Sequence, residues 1–497
     1  MNRRRLLPAC LLLMSAGLAT GPTARSQGAL PRNVIPSRNS LDRLGLERAW
    51  SAQVPLGGGR DQVIALSQAE DLVFAQTNSG TFAAFDAETG RLRWSVGLGV
   101  GSPEAKPATV NSYAVFVSDG SALHALDRGT GRELWKVQLG DLCTSSTGAT
   151  DSRVYVGLQN GKITAYNPRS LTSARATFQR FKKEAGSFAW TWQTNAKITA
   201  RPIPGGPVVA FASQDGKVYV AVDPVEEGRP STILFRWPSS GPIVASMGTY
   251  GTRTLLVPST DHSIYAIDLF TGDLLWNYST GAPIEQEPLV ADEDVYVVNA
   301  RRAMTALDAK SGTPRWTLPS GAARLLAVGA KRVYALTIDR DLEIVNRSNG
   351  ALLFGARDTL QRAGLNLRDY TLAFTNHTND RIYLATQAGV VIALREAGQV
   401  RPLMLHKPGA HPFGFIPPTQ GTASTPPASP PAQAEATKPE PKEKDDEEKP
   451  EPKPKPKSKA KAKAKAKKAD ADDAGDDPAT GDEEMPKAKK MKKAADE

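Results

Sequence analysis

Cysteine is close to absent. Cys10 and Cys143 are the only two in 497 residues, so no disulfide framework holds this chain and no thiol pair stands at zinc or haem spacing. Histidine is nearly as sparse. His124, His262, His377, His406 and His411 are scattered, none at the i, i+2 or i, i+4 offset of a metal pair. After the N-terminus no apolar run reaches membrane length. A concentrated excess of one charge is missing too. The net charge is +10, but from Glu435 to Glu497 18 lysines face 18 acids, and Arg3, Arg4 and Arg5 supply three of the remainder. What is left is spread thinly and argues against a dedicated nucleic-acid groove.

The first residues, "MNRRRLLPACLLLMSAGLATGPTARSQG", join a basic start to an apolar run from Leu6 to Ala19 and then small residues. That is the form of a secretory signal peptide, placed here at residues 1–24, with cleavage suited to Gly17-Leu18-Ala19 or Ala19-Thr20-Gly21. Most of the apolar run follows Cys10, which argues against lipoprotein anchoring. The mature chain is expected to be exported and soluble, in the periplasm or associated with the cell envelope.

What is present is repetition. Short alternating runs such as "LVFAQ" at 72, "AVFVS" at 114, "VYVGL" at 154 and "VYVVN" at 295 recur between Gly, Asn and Asp turns. Period-2 alternation of this kind indicates antiparallel strands. Four of the units carry Ala-x-Asp-x-x-(Thr/Ser)-Gly, the others a relative of it, and a strand carrying an aromatic follows. Trp50, Trp94, Trp135, Trp190, Trp237, Trp276 and Trp316 mark these outer strands, and Phe354 takes the place of an eighth. Most intervals are 38 to 47 residues, with one of 55 after Trp135. A repeated four-stranded unit of this size is a propeller blade. The last repeat stops at Gly398 without a Trp strand, while the strand around Trp50 has no strands before it. The expectation is therefore an all-β, eight-bladed propeller over residues 45–400, with the N-terminal strand completing the final blade and hiding its open edge.

Gly90, Gly131, Gly272 and Gly312 permit positive φ in the turn before the outer strand. The Trp four residues later can then reach across a turn to a neighbouring blade and bury about 150–250 Å². These residues are expected to be blade-to-blade docking units.

The motif resembles the tryptophan-docking repeat of PQQ-like β-propellers. It is matched by Ala84, Asp86, Gly90 and Trp94, by Ala125, Asp127, Gly131 and Trp135, by Ala266, Asp268, Gly272 and Trp276, and by Ala306, Asp308, Gly312 and Trp316. It is degenerate at Ala165–Asn167, Ala221–Asp223 and Ile344–Asn346. That family holds both quinoprotein dehydrogenases and non-enzymatic outer-membrane assembly proteins of the BamB type, so the resemblance implies fold more firmly than function. A quinoprotein dehydrogenase would carry a vicinal cysteine pair, and Cys143 has no cysteine neighbour. The expectation is a non-catalytic, BamB-like scaffold without catalytic, cofactor-binding or metal residues, monomeric, acting on protein partners in the envelope. A PQQ-dependent oxidoreductase and an envelope polyanion-binding protein are the alternatives.

Two segments lie outside the repeats. In the insertion Asn167–Ser187, Leu171, Ala174, Phe178 and Phe181 fall at helical spacing, with Arg180, Lys182 and Lys183 in polar positions. Such a helix either lies flat on its own blade or docks a partner. From residue 401 to 497 the chain is rich in Pro, Lys, Ala and Glu and is expected to be a disordered tail. Its nine lysines from Lys453 to Lys468 suit anionic polymers or lipid headgroups, or simply a solubilising spacer.

Overall fold

The structure, a computed structural model, describes residues 34–99, 105–169, 187–224, 229–406 and 411–416. The signal segment, the insertion residues Phe178, Arg180, Phe181, Lys182 and Lys183, and the block Lys453–Lys468 lie outside the described residues.

Strand formation follows the alternation. In the first blade Val63–Ala69, Leu72–Thr77, Thr81–Asp86 and Leu92–Gly97 pair antiparallel in sequence order. The second strand is buried at all six positions, because both faces of the sheet are covered by neighbouring blades. The outermost strand buries only Trp94, with its other positions half or fully open to solvent. Blades 2 to 7 repeat this order over residues 109–138, 148–193, 203–238, 248–279, 289–318 and 324–354. In each, the links between first and second and between third and fourth strands emerge on one face. The remaining links emerge on the other.

The eighth blade is assembled from both ends of the chain. Leu372–Ala373, Ile382–Ala385 and Val390–Glu396 are followed on the outside by Leu46–Gln53, paired from Leu46 with Glu396 to Gln53 with Val390. The N-terminal strand thus closes the ring. Closure saturates what would otherwise be an open sheet edge.

The core is correspondingly divided. Among the described residues eight apolar clusters form, one at each joint between blades. The joint between blades 7 and 8 differs from the rest. There the segment before the closing strand, with Leu41 and Leu44, joins Tyr334, Leu365, Leu367 and Tyr370. Its helical turn Arg38–Asp42 is capped by the Ser37 hydroxyl, which accepts from the Ser40 amide. Arg332 Nη1 donates to Leu44 O at 2.8 Å, and Tyr334 Oη donates to Glu396 at 2.9 Å.

The packed chain continues past residue 400, where the tail was expected to begin. Leu403 N donates to Asp380 at 3.0 Å and Leu405 N to Thr378 O at 3.0 Å. Leu405 is buried, and Gly414 N donates to Thr252 O at 2.8 Å.

Removing residues 34–53 should expose the edge of Val390–Glu396 and empty the last joint. The expected result is self-association on size-exclusion chromatography with light scattering, together with a lowered melting temperature. A monomer that melts as the intact chain does would contradict closure.

Candidate functional site

The repeated turn is built by its own side chains. Asp86 accepts from the Thr89 amide at 2.9 Å and the Thr89 hydroxyl at 2.7 Å, while Gly90 N donates to Asp86 O at 2.8 Å. Asp127 and Thr130 repeat the arrangement at 2.8 and 2.7 Å. The Thr130 hydroxyl holds the Asp127 carboxyl below its ordinary range, with partial burial opposing. Gly90 sits at φ +69°, a conformation that side chains rarely adopt, and a Cβ there would lie 2.5 Å from the Trp50 ring. Only glycine lets the indole of one blade lie on the turn of the next.

The same contact recurs around the ring. Trp94 lies on Gly131, Trp276 on Gly312 and Trp316 on Gly350, where an added Cβ would come within 2.5–2.6 Å of the ring. Each indole Nε1 also donates to a backbone carbonyl of the next blade. Trp50 reaches Ala87 at 2.8 Å, Trp94 Arg128 at 2.9 Å, Trp135 Pro168 at 2.8 Å, Trp276 Ala309 at 3.0 Å and Trp316 Arg347 at 2.7 Å. Trp190 instead meets the Asp223 carboxylate at 2.8 Å, in a blade that lacks Thr-Gly. These residues do not converge on one centre; they are distributed one to a joint.

Two expected positions are corrected. Trp237 does not lie on Gly272; Phe235 does, 2.9 Å from where a Cβ would be. The ladder explains the slip. In other blades the docking aromatic pairs with the Ala of Ala-x-Asp just before a bulge, as Trp94 does with Ala84, and here the pair is Val220 with Phe235. Residues two apart share a sheet face, so the spacing alone fitted either, and Trp237 packs edge-on against Tyr265 at 4.8 Å. Phe354 occupies the outer position of blade 7, paired with Ile344. No glycine turn receives it: a Cβ at Gly398 would meet nothing within 4 Å, and Phe354 joins the cluster built by the N-terminal segment. Sequence reasoning also missed Gly350. The signal was present as Asn346-x-x-x-Gly350, the offset of Asp86 and Gly90 with Asn in place of Asp.

The first strands line a central channel, a cavity of about 680 Å³ to which all eight blades contribute. Within it Arg201 Nη2 meets Glu287 at 2.7 Å, and His377 Nε2 stands 3.9 Å from the other Glu287 oxygen. Burial tends to raise the Glu287 carboxyl, but Arg201 and His377 outweigh it and hold it below its ordinary value. Burial lowers His377, with Glu287 opposing only in part, and burial lowers His406 as well. Arg201, Glu287 and His377 come from separate blades, and no spacing in the sequence could have joined them. His124, by contrast, is a buried strand residue with Nδ1 3.0 Å from Glu133. Among the described residues no group of three or more His, Cys, Asp or Glu side chains is arranged to hold a metal ion.

His406 and Phe413 also line the channel wall, beside Arg201, Glu287 and His377. Residues 401–406 rest on blade 8 and residues 411–416 on blades 4 and 5, both on the face that carries the docking turns.

Eight four-stranded blades joined by aromatic rings, most of them laid on glycine turns, define a β-propeller of the tryptophan-docking class. The chain belongs to the family described as Outer membrane protein assembly factor BamB, which residues 39–171 and 205–413 match. The unmatched stretch between them, residues 172–204, takes in most of the insertion. The chain is similar to BamB of Yersinia pestis, 24% identical over 293 residues that make up 54% of this chain and 70% of that one. With BamB of Burkholderia pseudomallei it shares 21% over 238 residues, 46% of this chain and 58% of the other. Among solved structures, BamB from Moraxella catarrhalis aligns with a TM-score of 0.54 at 15% identity, over 70% of this chain and 97% of that one. The computationally designed Ika8 protein aligns at 0.51 and 17%, over 69% and 99%. Likeness at these identities is of fold, and fold does not carry function by itself.

Trp276→Ala should cost about 3–5 kcal/mol in urea titration, the range for emptying a buried aromatic site. Gly312→Ala should be destabilising in the intact chain. With Trp276→Ala already present, its cost should fall to roughly the 1–2 kcal/mol of left-handed strain. A double-mutant cycle with no coupling would contradict docking.

The channel predicts a pH dependence. His377 and His406 are lowered from an ordinary value of 6.5, so the unfolded chain binds more protons just below that pH and stability falls as pH drops through it. The Glu287 contribution is present above 4.5 and is lost only at lower pH. Urea midpoints should therefore fall between pH 7.5 and 5.5, and the double variant His377→Gln, His406→Gln should flatten that slope.

Proposed function

We propose that this chain is an exported, non-catalytic propeller that holds protein partners together in the cell envelope and serves the assembly of outer membrane proteins. The observation that carries the reading is the family match, which covers residues 39–171 and 205–413 and includes docking turns at Gly90, Gly131, Gly272, Gly312 and Gly350. Relatives that bear the assembly-factor name are 24% and 21% identical to this chain over 293 and 238 residues. The ring's joints are held by its own side chains, which supports a scaffold reading. The vicinal cysteine pair of a quinoprotein dehydrogenase is not in the sequence. Cys143 is single and buried, its thiol donating to Ser145 O at 3.1 Å, and burial pushes that thiol up. An inert, protonated sulfur suits packing rather than redox chemistry.

Affinity purification of the tagged full chain from an envelope extract, beside a form lacking residues 417–497, tests the proposal. Outer membrane assembly proteins are expected with both forms. Their absence from both would contradict the reading, as would dye-linked turnover of alcohols or sugars after loading with PQQ and calcium. Recovery only with the complete chain would transfer the partner-binding role to the lysine-rich segment.

A further inference from the structure

The groove between blades 4 and 5 is already filled by a short piece of this chain. Pro412–Phe415 forms a turn, with Phe415 N donating to Pro412 O at 3.1 Å. The His411 and Phe415 rings stack across it at 3.9 Å and 2°. Phe413 points inward and joins the apolar cluster of the blade 4–5 joint, where Leu269 and Phe270 lie. Beneath it the groove floor is glycine. A Cβ at Gly205 would meet Leu269 at 2.6 Å and Phe413 at 3.5 Å, and one at Gly206 would meet Gly414 O at 2.5 Å. Gly414 itself is buried at φ +81° against the Gly205 backbone, and its amide donates to Thr252 O at 2.8 Å. His411, Pro412 and Ile416 remain exposed. The site therefore reads an aromatic ring, a following glycine and one backbone amide, and leaves the flanking residues free.

These are the requirements of a peptide-recognition site: a pocket for one side chain, a floor too close for any Cβ, and a main-chain hydrogen bond that fixes direction. The occupant is tethered. Leu405 is anchored on blade 8 by its amide to Thr378 O, and the turn follows a few residues later in the same chain. It therefore competes as an intramolecular ligand, at an effective concentration on the order of millimolar. A modest affinity is then enough to keep it in place, and a modest competitor is shut out.

We propose that the blade 4–5 groove is a binding site for polypeptide turns that present phenylalanine followed by glycine, and that residues 411–416 occupy it as an intramolecular competitor. When the cis turn leaves, the groove is open to the same motif from another chain. The proposal stands independently of the assembly role.

The test uses the complete chain as wild type, as Phe413→Ala, which withdraws the anchor, and as Gly414→Val, which blocks cis docking from the ligand side without touching the ring. A fluorescein-labelled peptide of residues 409–416 is titrated into each and followed by anisotropy. Both variants are expected to bind it at least about tenfold more tightly than wild type. The peptide carrying Phe413→Ala is expected to bind none of the three. Equal binding by all three proteins, no binding by either variant at millimolar peptide, or full binding of the altered peptide would each overturn the proposal.

Discussion

Everything in this ring depends on one contact, an aromatic side chain of one blade lying on the turn of the next. The contact is possible only because the turn residue has no Cβ and takes a left-handed backbone, as Gly90 does beneath Trp50 and Gly312 beneath Trp276. It combines two terms that rarely coincide on a surface. The indole body removes apolar area from water, and the indole N–H finds a carbonyl, so burial leaves no orphaned donor. Four tryptophans, Trp50, Trp94, Trp276 and Trp316, are held this way, each less than a tenth exposed. Each blade then presents an aromatic on one side and a turn on the other, and similar joints can be laid end to end until the ring closes.

Closure is where repetition must stop, and there the chain uses different parts. No aromatic on a glycine turn spans blades 7 and 8. Leu41, Leu44, Tyr334 and Tyr370 fill that joint, and Arg332 reaches a backbone carbonyl of the N-terminal segment. The joint that completes the circle is thus made by the segment that also supplies the last strand. Both ends of the described chain are fastened to the ring, the N-terminal segment in the joint of blades 7 and 8 and residues 411–416 in the groove of blades 4 and 5.

Much of this was legible in the sequence because blades are periodic. Trp spacing, Thr-Gly turns and the unpaired strand at Trp50 were enough for blade number and closure, since each is a local signal repeated at a fixed interval. The misreadings fall where the interval breaks. Blade 4 has a longer link before its outer strand, and period-2 symmetry made Trp237 as good a fit as Phe235. Gly350 was hidden by a single change of Asp to Asn at position 346. The channel group Arg201, Glu287 and His377 was not legible at all, because its members meet only when different blades converge. Gly205, Gly206 and Gly414 were silent for the same reason, glycine being informative only once its neighbours are known.

The account holds that a closed circle of docked joints makes the eight blades one cooperative unit rather than a row of separable repeats. Native-state hydrogen exchange in sub-denaturing urea tests that most directly, read at the second-strand amides buried in every blade. The account predicts a common opening free energy for Phe74, Phe116, Val156, Ala210, Leu256, Tyr296, Ala335 and Leu384. A gradient of opening energies along the chain, highest in the middle blades and lowest at blades 1 and 8, is the behaviour of an open array and would contradict it.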